Sequence, residues 1–186
     1  SSGDSYYVLP KYKGHYHLYF DDSHHLWLKD RGRVTCVNML TEQFVEDISS
    51  IFRAQGVEGH VDDMFVDSSG SIWLVKGNKI YSRHGKVVIP LRKGMILQDI
   101  DISDNNISLF YNDSRVDVYD LVSHKKLFST VALENDEIKE YSSSSVTYKY
   151  RNGFFQIRNG NNKAVLIWLD LDTRKWTKIL STDYYL

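Results

Sequence analysis

The residues best suited to chemistry form four small groups. His15 and His17 alternate on one strand face, and His24-His25 follow in the adjoining turn, so four imidazoles fall within eleven positions. Such a cluster could hold a transition metal, but His24 and His25 point apart on any extended backbone and no carboxylate completes the set. Turn residues facing solvent are the reading adopted, with no metal. The carboxylate pairs Asp21-Asp22 and Asp62-Asp63 raise glycosidase acid–base work. That mechanism needs two carboxyls set across a substrate, which neighbours in sequence rarely provide. Asp101, Asp104, Asn105 and Asn106 are rich in oxygen, yet lack the spacing of a calcium loop and read as a turn. Cys36, the single cysteine, lies in the apolar run Val34-Thr35-Cys36-Val37 and reads as a buried, inert thiol. No nucleophile elbow, phosphate loop or dinucleotide fingerprint occurs. The expectation is a chain with no catalytic set and no cofactor, whose ligand-binding residues the sequence does not name.

The elements around these residues are strands. Thirteen Tyr, eight Phe and four Trp sit among Val, Ile and Thr, the residues that fit a pleated surface. Tyr16–Phe20, Leu26–Lys29, Arg33–Asn38, Ile72–Lys76, Val116–Leu121 and Val165–Leu169 have strand length. Turn-forming groups divide them, among them Asp21-Asp22-Ser23, Asp67-Ser68-Ser69-Gly70 and Asp104-Asn105-Asn106. One stretch, Asp47 to Gln55, spaces Ile48, Ile51 and Phe52 as a helix does, with Gly56 as its stop.

Two interleaved repeats organise the strands. Phe20-Asp21 leads through a polar turn to Leu26-Trp27-Leu28, and Val66-Asp67 leads to Ile72-Trp73-Leu74, with Trp27 and Trp73 separated by 46 positions. Weaker copies run from Ile102-Ser103 to Ile107-Ser108-Leu109 and from Tyr150 to Phe154-Phe155. Downstream of each, Asn38 with Thr41, Asp120 with Ser123, and Asp170 with Thr173 before Trp176 repeat a second turn. A short Asn/Asp side chain at a strand end can bond turn backbone that otherwise lacks partners. In the second unit Ser82–Lys86 replaces this turn. Two turns per period define a four-stranded unit, and four antiparallel strands in about 40–45 residues are the signature of a propeller blade. The expected blades are 15–46, 61–92, 96–133 and 144–181, a single domain over 1–186 with a helical insertion at 47–55. Tyr6–Leu9 and Tyr184–Leu186 are candidate strands of flanking blades. Trp27, Trp73 and Trp176 are expected to fill the wedges between blades.

Composition narrows the classes further. Lys+Arg number 23 against 24 Asp+Glu, a net charge of −1, so no basic face for nucleic acid is expected. The longest apolar run, Ala164–Leu169, is far below a membrane span, so no membrane contact is expected within the segment. The start Ser1-Ser2-Gly3-Asp4 reads as a processed or engineered terminus.

The stretch DSSGSIWLV followed by GNKIYSRHGK resembles the repeat of two-component regulator propellers, and DDSHHLWLKD with VNMLTEQFV resembles the same unit. That family's pattern is an Asp, a turn with Gly, an aliphatic-Trp-aliphatic strand and a Gly-led third strand. The resemblance implies an all-β fold of about four four-stranded antiparallel blades with one short helix, an arc of a larger, seven-bladed propeller. It also implies a ligand-sensing, periplasmic segment of a Bacteroidetes-type hybrid or one-component regulator that responds to glycans, not an enzyme. The expected partners are the remaining blades of the same parent protein or a second copy, with an oligosaccharide as ligand. A protein–protein interaction scaffold is the alternative, and a polysaccharide-acting propeller enzyme a further one.

Overall fold

The structure is a computed structural model that describes residues 17–30, 33–82, 86–130, 143–160 and 162–184. Its strands form four four-stranded antiparallel sheets, each in simple sequential order, set side by side as propeller blades. Blade 1 holds β1 (His17–Phe20), β2 (His25–Asp30), β3 (Arg33–Asn38) and β4 (Gln43–Phe44). Blade 2 holds β5 (Asp63–Val66), β6 (Ile72–Lys76), β7 (Lys79–Tyr81) and β8 (Val88–Pro90). Blade 3 holds β9 (Leu97–Ser103), β10 (Asn106–Tyr111), β11 (Val116–Asp120) and β12 (Lys126–Ser129). Blade 4 holds β13 (Ser143–Tyr150), β14 (Gly153–Gly160), β15 (Lys163–Asp170) and β16 (Lys175–Thr182). The helix α1 (Ile48–Ala54) lies between blades 1 and 2.

The first repeat turn is a carboxylate clamp. Asp21 Oδ1 accepts the backbone N–H groups of Ser23 (2.8 Å) and His25 (2.9 Å), while Oδ2 accepts the Trp27 indole Nε1–H at 2.8 Å. Asp67 does the same for Ser69 (2.9 Å), Ser71 (3.1 Å) and the Trp73 indole (2.9 Å). One side chain thus closes the turn and fixes the rotamer of the Trp six residues on, satisfying donors that would otherwise be buried unpaired. The turns of the two blades are joined where Asp22 N–H donates to Gly70 C=O at 2.9 Å. Gly70 has φ +84°, and a Cβ there would lie 2.8 Å from Asp22 N, so this turn needs glycine.

Blades 3 and 4 abandon the clamp for two-residue hairpin turns. Ser103 pairs directly with Asn106, and Asp104 and Asn105 both take positive φ (52° and 61°), as a type I′ turn requires. Ser108, paired with Asp101, then stands where Trp27 pairs with Tyr19 and Trp73 with Phe65. In blade 4 Phe155, paired with Tyr148, holds this position.

The second repeat turn is the same in three blades. Asn38 Oδ1 accepts the N–H of Leu40 (2.9 Å) and Thr41 (3.2 Å). Asp120 Oδ1 serves Val122 (3.0 Å) and Ser123 (2.6 Å), and Asp170 Oδ1 serves Asp172 (2.8 Å) and Thr173 (3.3 Å). The following residues Glu42, His124 and Arg174 all turn the chain with positive φ of 57–58°. Each of these turns is also stitched to the first turn of its own blade: Met39 N–H to His24 C=O, Leu121 N–H to Asn105 C=O, and Leu171 N–H to Asn152 C=O. This second link joins residues about 15–20 positions apart and has no local signature in the sequence.

Three apolar clusters weld neighbouring blades. Trp27, fully buried, packs with Met64, Val66, Ile72 and Leu74 of blade 2, and Phe52 of α1 stacks on it at 5.8 Å and 11°. The helix insertion therefore covers the wedge between blades 1 and 2 with Ile48, Ile51 and Phe52. Phe65 and Trp73 meet Ile100, Ile107, Leu109 and Tyr111 of blade 3. Phe110, Val116 and Val118 meet Phe154, Leu169 and Trp176 of blade 4, with Phe110 and Phe154 edge-to-face at 4.9 Å. Leu18 and Phe20 of β1 remain 58% and 64% exposed, and Tyr148 and Tyr150 of β13 57% and 51%. Phe155, Trp168 and Tyr150 form an aromatic group on the same side of blade 4. Tyr184, expected in a flanking strand, instead lies in a bend beyond β16, where its carbonyl accepts the Thr182 hydroxyl. Tyr6–Leu9 and Tyr185-Leu186 lie outside the described residues.

Candidate functional site at the blade axis

The first strand of every sheet runs nearest the common axis: β1 touches β5, and β9 touches β13. Alternation along these strands turns every second side chain toward the neighbouring blade, and the ones that converge are polar. Tyr19 comes from β1, Asp63 from β5, Asp99 and Asp101 from β9, and Thr147 and Lys149 from β13. Lys29 of β2 reaches in beside them. Its ammonium, almost wholly buried, donates to Asp63 Oδ1 (3.0 Å) and Met64 C=O (2.9 Å) and sits 3.7 Å from the Phe65 ring centroid. An ammonium removed from water is tolerable only with such partners, so this pair fixes blade 1 against blade 2.

Asp99 is different. It accepts a hydrogen bond from the Ile100 backbone N–H (2.8 Å). Burial nevertheless dominates and pushes its carboxyl up to about 6, with the Ile100 N–H, the Thr147 hydroxyl and the charge of Lys29 pulling the other way and Asp101 adding to the rise. Asp101, two residues along β9, is also raised by burial, against the Ser103 hydroxyl bonded to it at 2.8 Å and the Lys149 charge. The Tyr19 phenol is raised by burial and by Asp99 and Asp63. Behind Thr147 stands Gln156 of β14, only 2% exposed, whose Nε2–H donates to Thr147 Oγ1 at 3.2 Å while its Oε1 has no partner.

The wedge between blades 3 and 4 is therefore polar toward the axis. Farther along it, the buried Arg158 donates to Asn112 C=O at 2.9 Å and to the Ser114 hydroxyl, and Trp176 Nε1–H donates to Ser114 C=O at 2.8 Å. Burial lowers the Arg158 guanidinium to about 10. On the outside of blade 3, Asp117 is gripped by Arg92 through two bonds of 2.8 Å and by the Ser129 hydroxyl at 2.6 Å. Those bonds hold its carboxyl below the ordinary range despite burial. The first two charge arrangements unite blades, and the last ties the connection before β9 to blade 3.

The groups singled out in the sequence do other work. His25 Nδ1 lies 2.9 Å from Asp21 Oδ2, and His24 occupies the turn with φ 63°. His15 lies outside the described residues. Among the described residues no group of three or more His, Cys, Asp or Glu side chains could hold a metal. Asp62 and Asp63 diverge: Asp62 accepts the Gly77 N–H at 3.0 Å, and Asp63 pairs with Lys29. The Cys36 thiol is fully enclosed, and burial together with the Asp21 charge pushes it up to about 12. Of the repeat residues, Asp21, Asp67, Gly70, Asn38, Thr41, Asp120, Ser123, Asp170 and Thr173 build turns, and Trp27, Trp73 and Trp176 pack in the wedges between blades.

No protein-family model matches the chain, and no curated protein does. Solved structures do match in fold. One, described as the extracellular domain of a one component system, BT4673, from B. thetaiotaomicron, superposes with a TM-score of 0.50 at 12% identity, over 88% of this chain and 23% of the other. U3-55K and the RRP9 WD40 repeats each give a TM-score of 0.55 at 7% identity over 87% of this chain, and 50% and 49% of theirs. The chain thus spans about a quarter to a half of the proteins it superposes on. At such identities the likeness concerns architecture: the chain is built of β-propeller blades.

Proposed function

We propose that the chain is a ligand-sensing propeller segment of a two-component-type regulator, positioned outside the cytoplasm, and that its ligand meets the axial cluster. The observation that carries the reading is the Asp–turn–Trp unit of blades 1 and 2, the unit that resembles regulator-propeller repeats, realised twice with the same bonds. Similarity in fold to an extracellular domain of a one component system supports it. Among the described residues no helix is long and apolar enough to cross a membrane. The carboxylates of Asp99 and Asp101 and the phenol of Tyr19 suit the hydroxyls of an oligosaccharide, the ligand class that the resemblance implies. Rigid strands rather than loops carry these groups, as a selective binding site needs. The site is one of binding rather than catalysis. The exposed faces of β1 and β13 are the natural seats for further blades of the parent protein, since large apolar patches seek cover.

Thermal denaturation with a panel of oligosaccharides tests the reading. A ligand at 100 times its Kd adds about 2.7 kcal/mol, a rise of about 5–11 °C in Tm for a chain of this size. The expected result is such a rise, lost in Asp101→Ala. A panel that moves Tm nowhere, or a rise that Asp101→Ala leaves intact, overturns the ligand assignment.

A further inference from the structure

We infer that the open faces of blade 4 and blade 1 are the two halves of one further blade-to-blade wedge, closed by a second copy of the chain set head to tail, so that two four-bladed arcs make one ring. The inference concerns these faces and stands whatever ligand the axis takes. The wedge between blades 1 and 2 sets the pattern. There Trp27, with Tyr19 beside it, enters an apolar seat made by Met64 and Val66 of β5 and Ile72 and Leu74 of β6. The repeat puts Leu18, Phe20, Leu26 and Leu28 at the same places on blade 1, with the same cross-strand pairing. They form an equivalent seat on the side turned away from blade 2. Leu28 is enclosed and Leu26 partly so, while Leu18 and Phe20 are more than half exposed.

Blade 4 carries the matching insert. Phe155 holds the Trp position, and its partner on β15, Trp168, lies 4.5 Å from it between ring centroids. In blade 1 the corresponding partner of Trp27 is the small Cys36. Trp168 reaches across Gly153, where a Cβ would lie 2.4 Å from its ring, and Tyr150 meets it edge-on at 6.4 Å. Tyr148, at the place Tyr19 takes in blade 1, is more than half exposed. An aromatic platform of this size seeks cover. Among the described residues the seats on blades 2, 3 and 4 are filled by the preceding blade, and that of blade 1 is the one left open. Both faces stay exposed in the single chain, so they do not meet within it. Charge agrees with the pairing. The bond from Asp22 N–H to Gly70 C=O shows that first turns of adjacent blades touch across a wedge. The same arrangement sets Arg151, in the first turn of blade 4, beside the Asp21-Asp22 turn of the copy. Arc length agrees as well, since the chain spans 50% and 49% of the structures of U3-55K and the RRP9 WD40 repeats. A head-to-tail contact that closes after two copies uses both faces of each. Two arcs of four sheets give eight blades, within the range of propellers.

Sedimentation velocity of the chain over a range of concentrations tests the pairing. The unmodified chain should run as a dimer, with no larger species as concentration rises. Tyr148→Glu and Leu18→Lys each change an exposed residue, one on each face. Either alone should give monomers, because a head-to-tail ring needs both faces of every copy. Mixed together, the two variants should dimerise again, since one wedge is then unmodified and the other sets Glu against Lys. A monomeric unmodified chain overturns the inference, and so does an open series of oligomers. A dimer that survives either variant, or a mixture that stays monomeric, overturns the head-to-tail arrangement. The mass of the unmodified chain decides alone if a variant fails to fold.

Discussion

Removing the Asp21 carboxylate should cost far more than a turn substitution at the surface usually does. Its oxygens serve two backbone N–H groups, the His25 ring and the indole of a Trp with no exposed surface. In Asp21→Ala the indole N–H is left buried without an acceptor, about 1–3 kcal/mol. The Ser23 N–H can turn to water, while the half-buried His25 N–H loses about 1 kcal/mol more. The expected total is about 3 kcal/mol, or a fall in Tm of about 6–12 °C. Asp21→Asn should be nearly as damaging, because one amide oxygen cannot serve both sets of donors and the NH2 then confronts the indole N–H. Urea denaturation of Asp21→Ala, Trp27→Phe and the double variant measures the coupling, expected at about 1–2 kcal/mol since the two residues share one bond. The same cycle on Asp67 and Trp73 is an internal replicate. There is also a pH signature. Burial would raise the Asp21 carboxyl, but the Trp27, His25 and Ser23 bonds outweigh it and hold it below its ordinary value. Its contribution is therefore present above the ordinary carboxylate range and lost as pH falls through the lower folded value, and Asp21→Ala should lose that acid-side dependence. A coupling indistinguishable from zero, or an Asp21→Asn variant as stable as the parent, would refute the clamp as the source of the Asp–Trp repeat.

Other expected outcomes are simpler. Gly70→Ala places a Cβ 2.8 Å from Asp22 N at φ +84°, so denaturant titration should show a loss of about 2–4 kcal/mol from backbone strain and steric overlap. Phe52→Ala uncovers the Trp27 ring that it stacks upon, which should cost about 1–2 kcal/mol and raise Trp27 fluorescence quenching by acrylamide. Asp99 gives a pH effect opposite to that of Asp21. Its folded value of about 6 exceeds the ordinary 3.8, so its contribution is complete below the unfolded value and fades as pH rises to about 6. The loss is at most about 3 kcal/mol, and Asp99→Asn should remove that fall from a comparison of urea midpoints at pH 4.5 and 7.5. Cys36 should resist thiol reagents in the folded chain and react at once in 6 M guanidinium, because its enclosed thiol is pushed up to about 12.

What lies within a few residues was legible in the order of the residues. Asp21 reaches Trp27 and Asn38 reaches Thr41 because a carboxylate or amide at a strand end meets the next turn's N–H groups whatever the rest of the chain does. The repetition of such local devices at a blade's period was enough to specify four-stranded units and the wedge-filling role of the Trp residues. The loss of the clamp in blade 3 was visible only as a weak repeat, since nothing local said that Asp104-Asn105 would make a tighter turn and leave Ser108 in a Trp's place. The axial cluster was beyond reach for a stronger reason. Lys29, Asp63, Asp99, Thr147 and Gln156 come from four blades and become neighbours only when the inner strands converge, so no spacing in the sequence announces them. Their burial, and with it the raised carboxyl of Asp99 and the unpaired oxygen of Gln156, is a property of packed blades. Local hydrogen bonding dictated the modules; the desolvation and juxtaposition of distant polar groups, which tertiary packing alone creates, produced the site.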